Sequence, residues 1–154
     1  MSNRGLAPVI GVIALVAVTV ILAGTVWMFT AAMVPIGTLP TAVFEGSILV
    51  EHREITLRHV RGDELQMEAV DLVVHVEGEP LAHQPPVPFF AATGFDSGPT
   101  GPFNPAATNI WSAGEVGTFR LASTNDPIPS FHDSVTVRID YEGEPIATTE
   151  LEHH

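Results

Sequence analysis

The sequence predicts an α+β fold: a long N-terminal hydrophobic α-helix followed by an all-β sandwich. Three observations predict it. The stretch from Leu6 to Val34 carries no charge and no polar stripe. Beyond Thr41, apolar and polar residues alternate with the period of two that belongs to strands. Gly, Pro and Asp then recur between the alternating runs, where turns are needed.

The helix comes first. Nothing ionises between Arg4 and Glu45. The segment is apolar all round apart from Thr19, Thr25 and Thr30, whose hydroxyls can bond back to their own helix. Eighteen or more such residues read as a membrane span. Pro8 suits the first helical turn, and Pro35, with Gly37 and Pro40 behind it, ends the helix. At 1.5 Å per residue, Pro8 to Val34 measures about 40 Å against about 30 Å of hydrocarbon. The excess must tilt, project or be buried against other protein. An ordinary anchor fits this composition. A cleaved secretory signal fits less well, because its apolar region is about 7–15 residues. Ala7 with Gly11, and Ala23 with Gly24, are thin spots where helices can approach closely, although Gly and Ala are common in any span.

The 154 residues leave room for one further domain, from Thr41 onward. Eighteen acidic and six basic residues give a net charge of −12, and every basic residue is Arg. Such a surface repels nucleic acid. It also suits high salt, because at about 1 M the Debye length falls to about 3 Å and like charges stop repelling. There is no Cys, which excludes disulfides, thiolate metal sites and a cysteine nucleophile. No N-x-Ser/Thr sequon occurs. Arg4 precedes the helix and Glu45, Glu51 and Glu54 follow it, so the positive-inside rule puts the N-terminus in the cytoplasm and the acidic domain outside.

Ile36 to Pro40 is a short linker. Thr41 to Glu51 reads as a strand with Gly46 as a bend. Glu54 to Val60 alternates, with Ile55, Leu57 and His59 on one face. Arg61-Gly62-Asp63 spells an adhesion tripeptide, but a plain turn is its simpler reason to exist. Val70 to Glu77 is a strand with Leu72, Val74 and Val76 inward. Glu77-Gly78-Glu79-Pro80 and Glu142-Gly143-Glu144-Pro145 are two similar hairpin turns. Their carboxylates supply too few oxygens for Ca²⁺ and read as solvated. His83 to Asn109 is a long Pro-rich loop, with VPFFAA a candidate strand inside it. Its four Phe residues must pack, either on their own sandwich or on a neighbouring subunit or surface. Trp111 is core or a cap on its open end. Thr118 to Ala122 is a strand. In Ser134 to Tyr141, Val135, Val137, Ile139 and Tyr141 face in, and Thr136, Arg138 and Asp140 face out. Glu144 to Leu151 returns along it. The closing Leu-Glu-His-His is either native or the start of a purification tag, which it resembles, and His153 and His154 are assigned no function. About seven or eight strands of this kind make an immunoglobulin-like sandwich.

Little reads as chemistry. His52, His59, His75, His83 and His132 are scattered and lack zinc-site spacing, which suggests surface histidines. Ser130, His132 and Asp133 have no nucleophile turn. No catalytic, cofactor-binding or metal-ligating residue is assigned, no cofactor is expected, and an enzyme is not expected.

Arg4-Gly5-Leu6-Ala7-Pro8-Val9-Ile10-Gly11-Val12-Ile13, continuing into VAVTVILAGTV, resembles the N-terminus of archaeal type IV pilins. More loosely, EITLRHVRGDEL, a strand ending in a Gly turn, WSAGE and a Val-alternating strand are similar in order to haloarchaeal pilin β-domains. The resemblance implies a leader over residues 1–5, cut between Gly5 and Leu6 by a prepilin peptidase. It implies a membrane and filament-core helix over 6–34, a linker over 35–40 and an extracellular β-sandwich over 41–154. Leu6, Pro8, Val9, Ile10, Gly11, Ile13, Val16, Val20, Gly24 and Trp27 would carry assembly into a helical homo-oligomer. An assembly ATPase and a membrane platform are the other implied partners. The precursor would sit in the cell membrane and the product outside the cell, for adhesion or a related filament function. The competing expectations are a permanently anchored cell-surface binding domain and an archaellin-like or minor pilin subunit.

Overall fold

The computed structural model describes residues 3–32 and 37–154, with side chains from residue 4 to 29 and from 37 onward. The chain divides into a unit ending at Thr38 and a second unit, Leu39–His154. The expected helix end at Val34 and the stop at Pro35 lie outside the described residues.

The first unit contains a 3₁₀ turn, Asn3–Gly5, running into helix α1, Leu6–Ala32. Pro8 falls in the first turn of α1, where backbone N–H groups have no intrahelical partner.

The second unit is the β-domain. Its strands are β1 (Ala42–Leu49), β2 (Glu54–Gly62), β3 (Leu65–Gln66), β4 (Val70–Val76), β5 (Glu79–Pro80), β6 (Ile110–Trp111), β7 (Val116–Arg120), β8 (Val135–Tyr141) and β9 (Glu144–His153). The fold class is therefore the expected one, a long apolar helix followed by a β-sandwich domain. The sandwich is built as one curled seven-stranded sheet, ordered β5-β4-β8-β9-β1-β2-β7, with β3 and β6 paired separately. Strand β9 makes the curl. Its first residues pair antiparallel with β8, and Leu151 to His153 then pair in parallel with Gly46 to Ile48 of β1. A strand that changes partners in this way joins two layers and encloses the core between them.

The alternation read from the sequence sets what is buried. Ile55, Leu57 and His59 of β2, Leu72, Val74 and Val76 of β4, and Val135, Val137 and Ile139 of β8 are all inside. Tyr141 is half-buried and packs against the core. Asp140 shares the outer face with Arg138 yet is only 7% exposed. Arg138 grips it with two hydrogen bonds, Nε to Oδ1 at 2.8 Å and Nη2 to Oδ2 at 2.9 Å. The bond and the charge of Asp140 raise the Arg138 pKa above its ordinary value. The β8–β9 register slips at this point, between Ile139 and Asp140.

Several expectations need correction. Gly46 is not a bend: it lies inside β1, paired with Leu57 and Leu151. A Cβ there would come within 2.3 Å of Leu151 Cδ2, so the missing side chain makes room for Leu151. The irregularity in β1 is instead between Val43 and Phe44. Arg61 and Gly62 are still in β2, and the chain bends only at Asp63. VPFFAA is not a strand; Pro88 has no N–H to give a ladder, and Phe89 N–H bonds to Phe103 O at 2.9 Å. At the C-terminus, where no correction arises, Leu151 is buried, His153 lies in β9 and His154 N–H bonds to Ile48 O. Both EGEP turns are as expected, with Glu77–Gly78 and Glu142–Gly143 in the left-handed region that such hairpins use.

The long loop turns out to be core. Phe89, Phe95 and Phe103 are buried, and only Phe90 is exposed. Phe103 stands edge-on to Trp111 and Phe119 at 5.1 and 5.8 Å, and Phe95 edge-on to Phe119 at 5.8 Å. Side chains replace the absent ladder. Gln84 accepts from Val74 N–H at 2.7 Å and donates to Val74 O at 3.0 Å. Asn125 donates to His83 O and Gly94 O and accepts from His83 N–H. Buried backbone groups are thereby satisfied without a strand.

Candidate functional site

α1 is the candidate site. Its 27 residues make a rod about 40 Å long. From Leu6 to Phe29 every described side chain is exposed around the full circumference. The expected assembly residues Leu6, Pro8, Val9, Ile10, Gly11, Ile13, Val16, Val20, Gly24 and Trp27 are all among them. They do not converge on one stripe. Thr19 Oγ1 donates to Val16 O and Thr25 Oγ1 to Leu22 O, each at 2.8 Å, so these hydroxyls are satisfied within the helix. Thr30 has no described side chain. Methyl groups added at Gly11 or Gly24 would meet nothing within 4 Å.

The junction of interest at the N-terminal end is Gly5–Leu6. Gly5 closes the 3₁₀ turn and Leu6 opens α1, with both residues exposed. At the other end, Trp27, Met28 and Phe29 are each 76% exposed, the highest values among the large apolar side chains. Twenty-four residues, Leu6–Phe29, are long and apolar enough to cross a membrane. Such a rod cannot stay in water, because exposed apolar area costs about 25 cal/mol per Å². It supports a water-free environment made of lipid or of other helices, and it has no group that could act in acid–base chemistry.

The histidines resolve differently from the expectation of scattered surface groups. His59 is wholly buried, stacked on Phe44 at 5.0 Å between ring centroids, with Nδ1 3.2 Å from Trp111 O. Its Nε2 has no partner among the described residues. His52 sits in a 3₁₀ turn, not in the strand of His59. No three His, Asp or Glu residues are placed to hold a metal among the described residues. Asp133 accepts from Ser130 N–H at 2.8 Å, closing a local turn. Trp111 is core, and its Nε1–H donates to Glu115 O. An open groove of about 500 Å³ runs over β1, β2, β7 and β9, with Glu45, Arg58, Glu150 and Glu152 on its rim.

No protein-family model matches the chain, and no curated protein matches it.

Proposed function

We propose that this protein is a non-catalytic structural subunit of an archaeal type IV pilus. A prepilin peptidase removes residues 1–5, and α1 then leaves the membrane to pack with other copies in a filament core. The observation that carries this reading is the contrast between the two units. The β-domain encloses a core of its own, including three of the four loop Phe, and leaves only scattered apolar side chains such as Val116 and Phe131 exposed, whereas every described side chain of α1, from Leu6 to Phe29, is exposed. A rod with no polar face is served equally by lipid and by sibling helices. The Ala-Pro-Val-Ile-Gly-Val opening of α1 supports the family, and the Gly5–Leu6 cut would release α1 at its first residue. The acidic β-domain would coat the fibre outside the cell in salt water, and the filament would serve surface adhesion or a related function. Peptidase, assembly ATPase and membrane platform act as partners before assembly, and no nucleic acid is involved.

The N-terminus and the fibres test the reading together. Intact-mass analysis is expected to find Leu6 as the first residue, and electron microscopy to find filaments in cells making this chain as their only pilin. Retention of Met1 or Ser2, with no filaments, would favour the permanently anchored cell-surface domain.

A further inference from the structure

We propose that Trp27, Met28 and Phe29 anchor the membrane-bound form at its outer interface, so that Leu6–Val26 fill the hydrocarbon and the last turn of α1 stands outside it. The inference rests on the membrane stage of the reading above and adds a depth to it. α1 is about 10 Å longer than the hydrocarbon it must cross, so its position along the bilayer normal is not fixed by length. The ends fix it. A positive charge stands at the start of the span, carried by Arg4 in the precursor and by the new amino group of Leu6 after cleavage. That charge belongs at the cytoplasmic interface. Counting from Leu6 at 1.5 Å per residue, about 30 Å of hydrocarbon ends at Val26. The next residue is Trp27. No aromatic residue occurs between Leu6 and Val26; the two aromatics of α1, Trp27 and Phe29, both lie beyond that point. Trp favours the headgroup boundary because its apolar ring and its N–H want different solvents. All three side chains are broadly exposed. The occupant of this surface is therefore the headgroup region of a bilayer, and the excess helix projects rather than tilts.

The test is Trp emission from the full-length chain in vesicles of lipids brominated either next to the glycerol or near the acyl-chain ends. The chain has two Trp residues, and the fully buried Trp111 gives a constant background, measured in a Trp27→Leu variant. Shallow bromines are expected to quench Trp27 about twofold more strongly than deep ones, as an interfacial ring requires. Stronger quenching by deep bromines would overturn the anchor while leaving the membrane reading intact. So would an absence of quenching in protein that floats with the vesicles. Protein that neither quenches nor floats would overturn the membrane reading itself and the anchor with it.

Discussion

Gly62 shows how little freedom a single position can have. It ends β2 with φ +122°, and a Cβ there would lie 2.2 Å from Thr41 O and 2.6 Å from Ala42 Cα. Backbone atoms cannot move aside as a flexible side chain can. Its neighbour Asp63 ties the same corner, donating from N–H to Thr41 O at 2.8 Å and accepting from Thr41 N–H at 2.9 Å. Gly62→Ala is expected to cost about 2–3 kcal/mol, from the forbidden backbone region and the clash. Asp63→Ala loses one exposed bond and is expected to cost about 1 kcal/mol. Urea unfolding of the detergent-solubilised chain, followed by Trp111 emission, would measure both; equal midpoints would remove the argument. Gly62 and Asp63 of the Arg-Gly-Asp spelling are thus explained by the fold's own geometry. What the sequence left illegible at this scale was spatial. The alternation grouped His59 with Ile55 and Leu57 while its scattered spacing suggested a surface group, and nothing local said that Phe44 and Trp111 would enclose it. Gly46 was misread for the same reason, since the residue that fills its space, Leu151, is far away in the chain.

Elements with a clear period were legible, and elements without one were not. β2, β4 and β8 follow from alternation, and the two hairpins follow from Glu-Gly. β3 and β6 are two residues each, too short to carry a period. The Pro-rich loop has no continuous ladder to betray it: Asn104 and Asn125 bond its carbonyls through side chains, Gln84 ties it to Val74 of β4, and single bridges join Phe95 to Leu121 and Thr100 to Thr118. Its four Phe residues separate the two ways it could have packed. Phe103 is fully buried against Trp111 and Phe119, so Phe103→Ala should cost about 3–5 kcal/mol. Phe90 is 61% exposed, so Phe90→Ser should change stability by no more than about 0.5 kcal/mol. Thermal melts of the two variants would decide whether the loop is core or merely lies over it. α1 was the most legible element, because an uncharged run of its length has few soluble uses. The function proposed for it rests on the resemblance of its opening residues, since an apolar rod carries no chemistry of its own. Val16→Asp puts a charge at mid-helix at a cost of about 2.5–3.5 kcal/mol to insertion. That variant is expected to lose membrane recovery and filaments while the circular dichroism of its β-domain is kept. Filaments at the wild-type level would count against a core role for α1.

At the scale of the molecule, the two units respond to solvent in opposite ways. α1 carries no charge, and its fate depends on finding an apolar environment. The β-domain holds nearly all the charge, with eighteen acids in the chain against six Arg. Among the described residues only two ion pairs form, Arg120–Glu54 at 2.7 Å and Arg138–Asp140 at 2.8 Å. Arg53 is occupied instead with Leu121 O at 2.9 Å. Most carboxylates therefore face water with no cation beside them. In dilute buffer their fields reach about 10 Å at 0.1 M salt, far enough to sum across the domain and favour the expanded chain. At about 1 M the reach is about 3 Å, shorter than most gaps between surface side chains. The unfolded chain spreads the same charges further apart, so screening relieves the folded state more. The melting temperature of the full chain in detergent is therefore expected to rise by several degrees between about 0.1 M and about 1 M potassium chloride. A neutral osmolyte at matched osmotic strength should not reproduce the whole rise, because excluded-solute effects are separate from screening. Equal melting temperatures at the two salt concentrations would mean that the acidic surface serves solubility alone, and the halophilic reading would be withdrawn.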